Sequence, residues 1–159
     1  MPVKIKPIFD EAAAEIIAEV TVRMGATGAN ATGKTVRSLE DNVTDDRMQI
    51  LGSKSFLFVE VGRKPGKKPP FEPIKEWVKA RNLGGTNPDG VAWAVVNAIA
   101  KRGTLAKRID KKQEPRDIYT SVVTKLRIQS ILSKINDFKV TQARSEILEA
   151  FRGQGVTIV

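Results

Sequence analysis

The stretch Gly28-Ala29-Asn30-Ala31-Thr32-Gly33-Lys34-Thr35 matches the phosphate-cradling pattern G-x-x-x-x-G-K-[ST]. In such a loop the backbone amides hold phosphates, Lys34 would reach the β- and γ-phosphates, and Thr35 would hold magnesium. That chemistry requires a buried strand before the loop and a long helix after it. Here the preceding segment has helical periodicity, and the following one, Val36 to Asn42, soon reaches a turn. Phe56-Leu57-Phe58-Val59 is followed by Glu60 and a Gly/Pro loop, which is no Walker B segment. Gly28, Gly33, Lys34 and Thr35 therefore read as a chance match in a Gly/Ala/Thr-rich loop, and no cofactor is expected. The chain has no His and no Cys. It lacks the commonest general base, thiol nucleophiles and the usual zinc ligands. Glu60 sits in an apolar run and reads as a partner for Arg63 or a loop amide; no second residue points to a catalytic role. No enzymatic or metal site is expected.

Of the 159 residues, 27 are Lys or Arg and 18 are Asp or Glu, a net charge of +9. Residues 1–60 carry 7 basic and 9 acidic side chains, whereas 61–100 carry 7 and 3 and 101–116 carry 7 and 2. The excess is thus concentrated in Arg63-Lys64-Pro65-Gly66-Lys67-Lys68 and in a basic linker that includes Lys101, Arg102, Lys107, Arg108, Lys111 and Lys112. Such clusters suit nucleic acid or an acidic protein surface, and equally a solvated loop. At 41% hydrophobic and 28% charged residues, the chain reads as a globular protein of one domain. No apolar run approaches the ~18 residues of a membrane span, and the N-terminus has no signal-peptide h-region. A cytoplasm-like compartment is expected.

These residues need elements to position them. Ile8, Ala12, Ile16, Val20 and Met24, widened by Ala13 and Ile17, predict an amphipathic helix over 8–24, with Asp10 and Glu11 near its start and Gly25 as terminator. Ala26 to Thr35 reads as a flexible loop. Val36 to Gly52 predicts a β-hairpin around Thr44-Asp45-Asp46-Arg47. Phe56 to Val59 is a buried strand or one helical turn, and periodicity does not decide. Gly62 to Pro70 is an irregular loop stiffened at Pro65, Pro69 and Pro70. A helix over 71–82 opens with Pro73 in its first turn. Another over 91–102, apolar nearly all round, has Asp89 as a candidate N-cap and Gly103 as its stop. Trp77 and Trp93 read as core residues. Ile118, Val122 and Leu126, then Ile131, Leu132, Ile135 and Phe138, predict further helix. A shorter helix carrying Ile147, Leu148 and Phe151 begins near Thr141, and Val156 to Val159 could add a strand.

The resulting fold class is α+β: a small antiparallel hairpin-based sheet packed by the helices 8–24, 71–82 and 91–102, with a helical C-terminal extension. The domain division is an N-terminal helix in 1–26, an α+β core in 27–104, and a basic linker with helical extension in 105–159, forming one domain overall.

Three segments in order resemble the family of tailed-bacteriophage neck proteins, known as head–tail joining or tail-completion proteins. Thr32-Gly33-Lys34-Thr35-Val36-Arg37-Ser38-Leu39 is similar to its Thr-Gly motif followed by an apolar residue and Ser plus aliphatic. Phe58-Val59-Glu60-Val61-Gly62-Arg63-Lys64-Pro65-Gly66-Lys67-Lys68-Pro69-Pro70 is similar to its aromatic-Val-Glu-x-Gly stretch and Pro-Gly-Lys-x-Pro-Pro loop. Ile74-Lys75-Glu76-Trp77-Val78, with 92–100 and Lys101-Arg102-Gly103-Thr104, resembles its Trp helix, apolar helix and basic-Gly-Thr end. Arg63 stands where the family often has Thr, and residues 105–159 match none of its segments.

The resemblance implies a non-enzymatic virion component, assembled in the host cytoplasm and placed at the neck or tail top. Its implied partners are other copies in a ring, portal-side head-completion or adaptor proteins, and the tail terminator or tail tube. Genomic DNA in the channel is a further contact, and no membrane is. The implied interface loop is Arg63, Lys64, Pro65, Gly66, Lys67, Lys68, Pro69 and Pro70. The alternative reading is a small basic nucleic-acid-binding module using residues 61–116. Its weakness is the scarcity of aromatics outside core positions and of any recognition motif.

Overall fold

The computed structural model describes residues 4–27, 32–104 and 117–153. Within them the fold is α+β, with six helices and one two-stranded antiparallel sheet. The helix expected over 8–24 is α1 (Lys6–Ala26). It buries Ala12, Ala13, Ile16, Val20 and Met24 on one stripe, as the four-residue spacing requires. Gly25 lies inside α1 instead of ending it. Thr27 closes the helix, since its backbone N–H and its hydroxyl both donate to the Arg23 carbonyl at 3.0 Å. Asp10 lies beyond the first turn and pairs with Lys6 at 2.7 Å.

The loop after α1 ends sooner than expected, because Lys34–Arg37 forms a short helix, α2. Val36 is therefore helical, and the hairpin is confined to β1 (Glu40–Val43) and β2 (Met48–Leu51), with Asp41 opposite Ile50 and Val43 opposite Met48. Thr44 and Arg47 close its turn with a backbone bond of 2.8 Å.

The undecided run at Phe56 resolves as α3 (Lys54–Val61). Gly62 stops it at φ 74°, its N–H donating to the Phe58 carbonyl at 3.0 Å. Two more helices, α4 (Phe71–Ala80) and α5 (Pro88–Arg102), pack on each other through Val78, Ala92 and Val96. The N-cap of α5 is Asn87, not Asp89: the Asn87 side chain accepts from the Gly90 amide at 2.9 Å. Asp89 instead pairs with Lys75 of α4 at 2.8 Å, which holds the Lys75 pKa above its ordinary value. Gly103 does stop α5.

The last element is one continuous helix, α6 (Lys125–Gly153), with no break at Thr141. Thr141 donates its hydroxyl to the Asp137 carbonyl at 2.8 Å, which lets it sit inside the helix. The 105–115 linker and the strand proposed for 156–159 lie outside the described residues.

The main core joins distant parts of the chain. Ile16, Val20 and Met24 of α1 meet Ile118 and Val122 from the turns at 117–123. Val36, Leu39, Met48, Ile50, Phe56 and Val59 pack around them. The segment read as a C-terminal extension thus begins inside the core. α6 then runs antiparallel along α1, with Arg127 on Glu15 and Glu19 and Lys134 on Glu11.

Candidate assembly interface

Loop 62–70 leaves α3 at Gly62 and returns to α4 at Pro70. Its backbone is fastened to the end of α5. The Arg63 amide donates to the Thr104 hydroxyl at 2.7 Å, the Thr104 amide donates to the Arg63 carbonyl at 2.8 Å, and the Gly66 amide donates to the Ala100 carbonyl at 2.8 Å. Gly103 permits this clamp. It has φ 74°, and a Cβ there would lie 2.3 Å from the Arg63 carbonyl oxygen. Both the backbone angle and the close approach demand glycine.

The sequence grouped Arg63, Lys64, Lys67 and Lys68 as outward-facing cations. Arg63 serves the loop itself: its guanidinium lies 5.3 Å from the centre of the Phe58 ring and donates to the carbonyls of Lys67 and Lys68 at 3.3 and 3.4 Å. Lys68 lies over Trp93, which stacks on Phe71 with centroids 4.6 Å apart. Pro69 is buried. What projects is the tip Lys64-Pro65-Gly66-Lys67, exposed at every residue. The Gly66–Ala100 bond sets this tip beside the last turn of α5, where Lys101 and Arg102 are also exposed. Two basic clusters separated in sequence therefore share one end of the molecule. Lys107, Arg108, Lys111 and Lys112 lie outside the described residues.

Trp93 is half exposed, not core. α5 buries only one stripe, Ala92 and Val96, so its apolar composition exceeds what α4 covers. Trp77 is half-buried.

Lys34 and Thr35 each have a partner within the chain. The Lys34 ammonium pairs with Glu76 at 2.6 Å, and the Thr35 hydroxyl shares a hydrogen bond with Ser55 at 3.2 Å. The element before the loop is helix α1, and the helix after Gly33 is four residues long. Gly28 lies outside the described residues. Among the described residues, no group of three or more acidic side chains is placed to hold a metal ion. No helix there is long and apolar enough to cross a membrane.

Glu60 has a fuller role than its sequence position shows. Its carboxylate accepts from the amides of Ile118, Tyr119 and Thr120 at 2.9, 3.0 and 3.1 Å, and from the Thr120 hydroxyl at 2.9 Å. Arg63, the other partner considered, is turned to Phe58 instead. Partial burial pushes the Glu60 pKa up, but the bonds from Tyr119, Thr120 and Ile118 outweigh it and leave a net lowering. Glu60 thus staples α3 to the segment that supplies Ile118 and Val122 to the core. A lone acid within an apolar run was the available signal; its partners lie about sixty residues away, beyond any local pattern.

Comparison of the chain with protein-family models, with curated proteins and with solved structures finds no match.

Proposed function

We propose that this chain is a non-enzymatic ring subunit of a tailed-phage neck, a head–tail joining or tail-completion component between the portal-side connector and the tail. One observation carries the reading beyond the motifs themselves. The three resemblance segments are fastened together in space, the first to the third by Lys34–Glu76 and the second to the third by the Arg63–Thr104 clamp. The product is a basic tip whose backbone is ordered before any partner arrives. Ordering a loop residue costs roughly 1–2 kcal/mol, so a pre-clamped tip binds with less entropic loss. Its lysines suit the acidic face of an adjoining ring.

The test is capture by a portal-side ring or a tail-end ring. The wild-type chain should bind one of them, and the double charge reversal Lys64→Glu/Lys67→Glu should weaken binding at least about tenfold, the loss two interfacial charge contacts can produce. No binding to either ring by the wild type overturns the function; equal binding by both proteins removes the tip from it.

The half-exposed Trp93 beside Lys68 favours keeping nucleic-acid contact as a second reading, since an aromatic face next to cations suits an unpaired base. Its affinity should then fall steeply with salt, and Trp93→Ala should weaken binding to single-stranded DNA. Absence of DNA binding at low ionic strength removes this reading.

A further inference from the structure

The two halves of α6 have different apolar faces. Ile131 and Ile135, four residues apart, face α1, with Ile135 buried and Ile131 against the core, while Ile128, Leu132 and Phe138 at the edges of that stripe are exposed. The step of two residues from Phe138 to Val140 moves about 200° around the axis. From there Val140, Ala143, Ile147 and Ala150 form a new stripe, spaced three, four and three, with Leu148 and Phe151 beside it. Val140, Ile147, Leu148 and Phe151 are all exposed, Ile147 at 55%.

The register of α6 on α1 explains why. Lys134 lies on Glu11 and Arg127 on Glu15 and Glu19, so the first residue of α1, Lys6, falls level with about Lys139. Residues 139–153 run past the end of α1, an overhang of about 22 Å. Beyond Lys134, the side-chain hydrogen bonds of α6 among the described residues stay within the helix. A free helix of that length is marginal in water and gains stability from packing its apolar face.

The same chain carries an apolar groove of about 360 Å³, lined by Ile17, Leu39, Ile50, Leu51, Phe56 and Leu57 among others. Leu51 and Leu57 stand exposed at its mouth, Leu57 at 59%. The overhang cannot fill its own groove. The α1 residues that line it, Ile16, Ile17 and Val20, lie ten or more residues from Lys6, roughly 15–21 Å back in the opposite direction.

Charge matches the two surfaces. The overhang stripe is flanked by Arg144 on one side and Glu146 on the other, with Glu149 and Arg152 farther round the helix. Beside the groove, β1 sets Glu40 opposite Leu51 and Asp41 opposite Ile50. Glu40, Asp41, Arg144 and Arg152 are all exposed, and none is in an ion pair among the described residues. Lys54 also lines the groove, on α3.

We propose that the α6 overhang of one copy docks in the α1–hairpin–α3 groove of a second copy, with Ile147 and Phe151 entering the groove and Arg144 facing Glu40 and Asp41. Two different patches of one chain meet, so the contact is head-to-tail and propagates until rotation closes it. Closure into a ring rests on the function proposed above; the pairing of the two surfaces does not.

Two full-length variants test this, Ile147→Glu/Phe151→Glu on the overhang and Leu57→Glu at the groove mouth. All the substituted positions are exposed, and circular dichroism checks that each variant is folded. Mass photometry and light scattering should show oligomers for the wild type and monomers for each variant alone. An equimolar mixture of the two variants should form 1:1 dimers, because the intact overhang of one meets the intact groove of the other. A groove variant that still assembles like the wild type overturns the proposal in favour of helix-to-helix pairing. An overhang variant that still assembles overturns it while leaving a ring built on other surfaces. A wild type that stays monomeric at tens of micromolar overturns the pairing, whereas the neck function is decided separately by capture on a portal-side or tail-end ring.

Discussion

The segment from residue 117 to 153 contains two regions that obey different rules. Its first part is welded to the body: Ile118 and Val122 are buried, Glu60 holds the amides of 118–120, and Arg127 and Lys134 reach the acids of α1. From Asn136 on, nearly every side chain is exposed, and the large apolar ones meet no core. Composition alone does not separate the regions, since both are helical-period stretches with Ile, Leu and Phe. What separates them is whether another element lies alongside. A stripe covered by α1 contributes to folding, and a stripe running past the end of α1 stays exposed.

Substitutions should divide along the same line. The largest effect on stability belongs to the welded part. Ile118→Ala should cost about 3–4 kcal/mol, read by denaturant titration, because the site is fully buried and closely surrounded. Glu60→Ala should follow at about 2–3 kcal/mol, since three amides lose a charged acceptor.

The Glu60 staple also has a pH signature. Its pKa is lowered in the folded chain, so its contribution is fully present above the unfolded value near 4.5. It is lost as pH falls through the lower folded value. Stability of the wild type should therefore drop faster than that of Glu60→Gln below about pH 4.5. Parallel curves would show that the staple carries no net charge-dependent stability.

Gly103→Ala should cost about 1–3 kcal/mol, from a positive φ and a clash with the Arg63 carbonyl. It should also open the loop clamp, read as faster hydrogen exchange at the Gly66 and Thr104 amides. Smallest of all, Lys64→Ala and Lys67→Ala should leave stability within about 0.5 kcal/mol, as befits exposed side chains without core contacts. On the function proposed above, their effect should be read in ring capture instead.

Much of the fold was legible because it depends on local pattern. The four-residue spacing in α1, the polar turn at Thr44–Arg47 and Gly103 after α5 each specify their element from a few neighbours. Elsewhere the deciding contact was distant or fine-grained. The run at Phe56–Val59 is too short to have a period, and its helix places Glu60 against amides of 118–120. Asn87 and Asp89 are both good caps, and Asn87 serves because the helix starts at Pro88, which leaves Asp89 inside the first turn to meet Lys75. The nearly all-round apolar composition of its helix makes Trp93 look like core, yet α5 buries only one stripe and Trp93 is half exposed. Thr141 looked like a helix start because its hydroxyl suits a cap, and the same hydroxyl is satisfied inside α6 by Asp137.

The candidate interface was legible in part. Lys64 and Lys67 are exposed at the loop tip. Arg63 is drawn inward by Phe58, and the joining of the loop to Lys101 and Arg102 depends on a backbone bond that no spacing shows.

The central claim is that this chain is an assembly subunit. Its most direct test is the mass distribution of the purified full-length protein, alone and mixed with a portal-side ring, recorded by mass photometry. A discrete ring-sized species, formed alone or added as a fixed increment to that ring, is the predicted result. A single monomer peak under both conditions would contradict it.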